Sequence, residues 1–255
     1  MPKPIQILSG ESQYIHGLHS KPSEESLENV DQPLVIMIHG FPGNKDSHDS
    51  VFQNLEQIIG EKNYHTLRFD FRGCGESDGR EEDFTLESAS EDIGSVLDWA
   101  KDQDYTRFIF ICEGLGAPVT FMNAPEQGIC YILLWPMLDM PHIAKTIFKA
   151  DEIEDEWKKA GYALIDENRV GIPLIEQLEK ADISGPISDL NRPVLVMHGA
   201  QDEISPINQL DTLRAHASSR RIEITSFQDG THGLTQANHR KTMFYHIMQF
   251  IEKYT

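Results

Sequence analysis

Apolar positions in this chain follow two rhythms. Short continuous runs at Leu34 to Ile38, Phe108 to Cys112, Ile129 to Trp135 and Val194 to Met197 are what strands buried on both faces require. His65 to Phe71 and Arg221 to Phe227 are predicted as further strands. Ile5 to Leu8 and Gln13 to Leu18, either side of Ser9-Gly10, predict an N-terminal hairpin. Between the strands the period changes to that of a helix. Phe52, Leu55, Ile58 and Ile59 fall on one face of a helix predicted over Asp46 to Ile59. Ile93, Val96, Leu97 and Ala100 do the same over Leu86 to Lys101. Helices are also predicted over Val119 to Ala124, Pro206 to Ala217 and Gln236 to Lys253, and a polar surface loop over Lys21 to Asn29.

Strands alternating with helices imply an α/β fold: a mostly parallel central sheet with helices on both faces. Ligands in such sheets bind beyond the carboxyl ends of the strands, where this chain places its glycine-rich turns. Residues 136–189 interrupt the alternation. They hold an acidic helical stretch (Asp151 to Ala160), a short apolar run (Tyr162 to Ile165) and an amphipathic helix (Ile172 to Lys180). The expected organisation is a core domain of residues 1–135 and 190–255, with 136–189 as a cap or lid over the strand ends. A plain surface insertion is the alternative.

Composition narrows the function. At 255 residues the chain can bury a substantial single core, and its formal net charge is -19. An acidic surface argues against nucleic acid and anionic membranes as partners. No apolar run approaches the roughly 18 residues of a spanning helix, and no signal-peptide h-region is visible. Three sparse cysteines suit a reducing compartment, so the expected location is cytoplasmic. Cys112 ends one predicted strand and Cys130 begins the next, opposite ends of parallel neighbours, which argues against a bridge. No His, Cys or acid cluster has metal-ligand spacing and no phosphate-binding loop is present, so no metal or cofactor is expected.

The chemistry gathers at the strand ends. Arg107 to Cys112 runs into Glu113-Gly114-Leu115-Gly116 and then a helix, the layout of a strand-to-helix nucleophile turn written G-x-S-x-G, with Gly114 where the serine belongs. His39-Gly40-Phe41-Pro42-Gly43 follows the first buried strand. Arg68 to Gly79 forms a strand-and-turn block. His198-Gly199-Ala200-Gln201-Asp202 and Gly230-Thr231-His232-Gly233 follow the last two. Together these blocks, over the whole chain, resemble the α/β-hydrolase superfamily, and the middle and cap blocks are similar to feruloyl (cinnamoyl) esterases and serine aminopeptidase-like hydrolases.

That resemblance implies an α/β-hydrolase fold and a role for each block. His232 would be the general base and Asp202 its orienting acid. The backbone N–H groups of Phe41 and Leu115 would form the oxyanion hole. Phe41, Trp135 and Met137 would line the pocket. The bland alternatives are that His232 is one surface histidine among eleven and that Asp202 or its neighbour Glu203 is a solvated turn residue. His39 and His198 read as structural turn residues, and Glu113 as a buried neighbour of the elbow. Cys112, Cys74 and Glu113 are the only nearby candidates to replace the missing hydroxyl, each displaced from position 114. Two function classes follow. One is a serine carboxylic-ester hydrolase scaffold whose nucleophile is replaced by Gly114, inactive or substrate-trapping, acting on a small acyl or aromatic ester. The other is a non-catalytic member that binds such a ligand.

Overall fold

Gly10, at a φ of +61°, turns the chain between β1 (Lys3–Ser9) and β2 (Gln13–Ser20), an antiparallel pair. The left-handed region favours glycine there because it has no Cβ to clash. The structure is a computed structural model and describes residues 2–22, 32–123 and 126–255. Most of the predicted loop over Lys21 to Asn29 lies outside the described residues. Next come β3 (Leu34–Ile38), α1 (Val51–Gly60), β4 (His65–Phe69), α2 (Leu86–Asp102), β5 (Phe108–Glu113), α3 (Gly116–Asn123) and β6 (Gly128–Leu134). The 136–189 segment carries α4 (Met140–Thr146), α5 (Asp155–Ala160), the paired strands β7 (Tyr162–Ile165) and β8 (Asn168–Gly171), α6 (Ile172–Lys180) and α7 (Ser184–Ser188). The chain closes with β9 (Val194–Gly199), α8 (Leu210–His216), β10 (Ile222–Phe227) and α9 (Ala237–Tyr254).

The main sheet has the order β1-β2-β4-β3-β5-β6-β9-β10. β1, β2 and β4 pair antiparallel, and from β4 onward every neighbour is parallel. Alternate residues of β5 face opposite ways into two cores. Ile109 and Ile111 pack with Phe52, Leu55 and Ile59 of α1 and with Met243, Ile247 and Ile251 of α9. Phe108 and Phe110 join Ile93, Val96 and Leu97 of α2 and Val119 and Phe121 of α3. Covering both faces in this way is why β3 and β5 read as unbroken apolar runs. The chain moves from β3 to β4 on one side and crosses to β5 on the other. The turns after β3 and β5 therefore part over a crevice at the carboxyl edge, the place where open α/β sheets take their ligands.

Several boundaries depart from the sequence expectation. The helix expected from Asp46 begins at Val51, after a 3-10 turn at His48–Ser50. Asp46 is held outside it, its N–H on the Asn44 side chain and its carboxylate on Arg68. Ser47, Asp49 and Ser50 all take positive φ, which no α-helix tolerates. The strand expected to Phe71 stops at Phe69, because the Asp70 carboxylate is taken by the backbone N–H groups of Lys45 and Glu76 and by the Lys45 ammonium. The acidic stretch from Asp151 is broken by extended backbone at Ile153 and Glu154, leaving a 3-10 turn and the short α5. The helix expected from Pro206 opens with a 3-10 turn before α8, and α3 starts at Gly116, three residues before the predicted Val119.

Candidate active site

β5 ends in Glu113, and the next residue, Gly114, turns the chain at a φ of +52°. Its N–H donates to Leu134 O at 3.1 Å, and its carbonyl accepts from Met137 N at 3.1 Å and Ala117 N at 3.3 Å. The turn is thus tied to the end of β6 and to the start of α3. A Cβ placed on Gly114 would meet nothing closer than the Met137 sulfur at 3.8 Å. Gly116 differs: a Cβ there would lie 2.7 Å from the carbonyl oxygens of Ile38 and His39. The start of α3 presses directly on the end of β3.

The turn after β3 is pinned by His39. Its buried ring donates from Nδ1 to Gly40 O at 2.6 Å and accepts Phe71 N–H on Nε2 at 3.1 Å. Burial holds this imidazole below its ordinary pKa, so it stays neutral in a fixed tautomer. Phe41 follows, stacked on Phe84 with ring centroids 4.2 Å apart. The Phe41 and Leu115 backbone N–H groups have no acceptor among the described residues.

Asp202 lies in the turn after β9, with its side chain buried. Oδ1 accepts the N–H groups of Ile204 at 3.0 Å and Ser205 at 2.8 Å, which fixes the carboxylate plane. Oδ2 is left for His232, whose Nδ1 donates to it at 2.9 Å. A carboxylate on Nδ1–H sets the tautomer, leaving the Nε2 lone pair to face outward. His232 opens a short 3-10 turn, is 25% exposed in its side chain, and makes no Nε2 hydrogen bond among the described residues. His198 supports the turn from beneath, donating from Nε2 to Ser205 O at 2.7 Å, and burial lowers its pKa.

A cavity of about 360 Å³ joins these parts. Gly114, Leu115, Phe41, Trp135, Met137 and His232 all line it, so the residues singled out from sequence share one space apart from Asp202, which sits behind His232. Of the 136–189 segment, Met137 is the residue on this wall. Asn44, Ser47, His48 and Asp49, not anticipated as site residues, add a polar wall to the lining. They belong to the positive-φ turn before α1, whose approach depends on tertiary packing. Glu113 is largely buried beside them, its carboxylate accepting the Trp135 indole N–H at 3.3 Å. Burial pushes its pKa up, partly offset by the Ser47 hydroxyl and that indole.

Neither nearby cysteine replaces the missing hydroxyl. Cys112 is buried against Thr120, and burial pushes its thiol up to about 12. Cys74 is buried in the core around Phe71 and Phe84, its thiol also raised by burial. Neither lines the cavity, and a neutral thiol is a poor nucleophile. Among the described residues no group of three or more His, Cys, Asp or Glu is placed to hold a metal, and no helix is long and apolar enough to cross a membrane.

Known proteins match this architecture. The profile of the alpha/beta hydrolase fold family matches residues 33–108. Over 76 residues the chain is 38% identical to an uncharacterised 31.7 kDa protein of Escherichia coli, a match spanning 30% of this chain and 26% of that protein. Human mitochondrial palmitoyl-protein thioesterase ABHD10 is 21% identical over 230 residues, 87% of this chain and 74% of its own. Among solved structures, Est1E of Butyrivibrio proteoclasticus with ferulic acid bound superposes with a TM-score of 0.83 at 22% identity, covering 98% of each chain. Mouse ABHD10 gives 0.77 at 19% identity, covering 99% of this chain and all of the other. At such identities the superpositions speak to the fold. The chain thus has the α/β-hydrolase fold, with the family match running through β3 and β4, and it resembles the esterases of that superfamily.

Proposed function

We propose that this protein is an esterase-type scaffold that binds a small acyl or aromatic ester and, lacking a hydroxyl at position 114, forms no acyl-enzyme on it. The observation that carries this reading is the hydrogen-bonded Asp202–His232 pair, opening on the same cavity as Gly114. A charge-stabilised base, held in one tautomer, has no structural need to face a cavity. The Phe41 and Leu115 N–H groups are the oxyanion donors. Phe41, Trp135 and Met137 hold the apolar part of the ligand, and the turn at Asn44 to Asp49 meets its polar end. Residues 136–189 act as a cap, with Met137 its contribution to the wall.

The test is Gly114→Ser. On this reading the serine hydroxyl is the part of an esterase that is missing, and in a serine protease loss of the nucleophile alone costs about 10⁶ in kcat. Both proteins are assayed with 4-nitrophenyl acetate, 4-nitrophenyl butyrate and methyl ferulate, the last because Est1E holds ferulic acid. Gly114→Ser is expected to hydrolyse at least one of them, and His232→Ala in the serine background to abolish the gain. A folded Gly114→Ser protein that stays at the background rate sinks the hydrolase reading. Methyl ferulate binding by the unaltered protein would then leave the purely ligand-binding reading.

A further inference from the structure

We propose that the His232–Asp202 pair acts, in the protein as it stands, as a free general base on a carbon acid: a small aryl or acyl ketone with an acidic C–H next to its carbonyl. In a serine hydrolase the Nε2 lone pair would be occupied by the nucleophile's hydroxyl. Here Nδ1 is bound to Asp202 at 2.9 Å, Nε2 has no partner among the described residues, and residue 114, which lines the same cavity, is a glycine. The base is held by a carboxylate fixed at both oxygens, so protonating the imidazole creates an ion pair rather than an isolated charge.

The cavity supplies the second requirement. Removing a proton next to a carbonyl moves the electron pair onto oxygen, and that enolate needs donors as a tetrahedral oxyanion does. The Phe41 and Leu115 N–H groups, which share the cavity with His232, are such donors. Phe41, Trp135 and Met137 offer a wall for the ketone's aryl or acyl group. In the step, the α C–H bond breaks and its proton goes to Nε2. The C–H pair becomes the enolate double bond while the carbonyl pair settles on oxygen. Reversal from an imidazolium that has exchanged with solvent returns a proton to carbon. Composition is unchanged, so no oxidant or co-reactant is needed, and the reactions open to the site are proton exchange, racemisation and double-bond isomerisation.

This inference shares the base and the donors with the esterase-type reading but does not depend on ester binding or on a restored serine. Its test is solvent deuterium incorporation at the C1 methylene of 2-tetralone, followed by proton NMR in neutral deuterated buffer. The unaltered protein is expected to exceed the buffer rate by about 100-fold, the usual range for a positioned base. His232→Ala should return exchange to the buffer rate, as should His232→Gln if the alanine variant does not fold. Gly114→Ser should slow exchange, because its hydroxyl takes the Nε2 lone pair, while the same substitution is expected to gain ester hydrolysis. Exchange at the buffer rate in the unaltered protein overturns the proposal. So does exchange that survives His232→Ala and His232→Gln, or that is unchanged in Gly114→Ser. The first two outcomes leave open whether Gly114→Ser cleaves an ester, so the two readings fail separately.

Discussion

Gly114 and Gly116 lie two residues apart in one turn and would answer a methyl group differently. At Gly114 the obstacle is the backbone: its φ of +52° is left-handed, while the space beside it is open to 3.8 Å. Gly114→Ala should therefore fold normally and lose about 1–3 kcal/mol, the usual cost of a side chain in that region. At Gly116 the obstacle is packing, since a Cβ would sit 2.7 Å from two carbonyl oxygens of the neighbouring strand end. Gly116→Ala must push the β3 turn away from α3, and with it the Phe41 N–H from the Leu115 N–H. Urea unfolding of the two variants separates the effects, and Gly116→Ala is expected to be the less stable. Equal losses would mean that α3 yields easily and that its spacing from β3 is not what fixes the oxyanion donors. The same comparison explains the conformational side of a glycine at 114: it occupies a strained turn at no steric cost and gives up only the attacking oxygen.

At the scale of elements, α2 illustrates what local sequence can specify. Thr85 caps its first turn, accepting Ser88 N–H at 3.0 Å while the Ser88 hydroxyl accepts Thr85 N–H at 2.9 Å. Thr85→Ala removes half of this reciprocal cap and should cost about 1 kcal/mol in urea unfolding, with m unchanged. A loss below about 0.3 kcal/mol would show that the helix start is held by its packing instead. The helix was legible because its apolar face repeats every turn against the sheet, and β3, β5, β6 and β9 were legible because both faces are covered. The β7–β8 hairpin was not. Its turn uses Asp166 and Glu167 at positive φ, +48° and +70°, in place of the Asn-Gly or Asp-Gly pair that announces such a turn. The polar wall of the cavity was hidden for a related reason. Ser47, His48 and Asp49 sit in an irregular turn whose shape depends on Arg68 and Asn44, and no periodicity reports that. Gly114, Asp202 and His232 were readable because each follows a strand, and strand ends on one edge of a parallel sheet must come together.

For the whole molecule, acidity should act through buried histidines. Burial, with Lys21 next in weight, lowers His19 to about 4, and burial lowers His39, His65 and His198 from the ordinary imidazole range. Unfolded, all four titrate near pH 6.5. Below that value the unfolded chain binds protons that the folded chain refuses, so stability is fully present above about pH 6.5 and declines as pH falls toward the folded values. Two groups oppose this. Glu113 and Asp92 are raised by burial, so the folded state holds their protons better than the unfolded one, and acidification favours it at those sites. Relief of the net charge of -19 works in the same direction. The unfolded histidine value near 6.5 lies inside the interval from about pH 7.5 to about pH 5, so across it the histidines' own contribution is a loss of stability. His19 is the residue with which to isolate the effect. It shares the Tyr105 hydroxyl with His65, at 2.8 Å and 2.5 Å, so His19→Gln leaves that phenol a partner. The variant cannot take up the proton, and it leaves the acidic surface untouched. Its urea midpoint should fall less than that of the unaltered protein over the same pH interval. Identical declines would place the pH sensitivity elsewhere and remove His19 from the account.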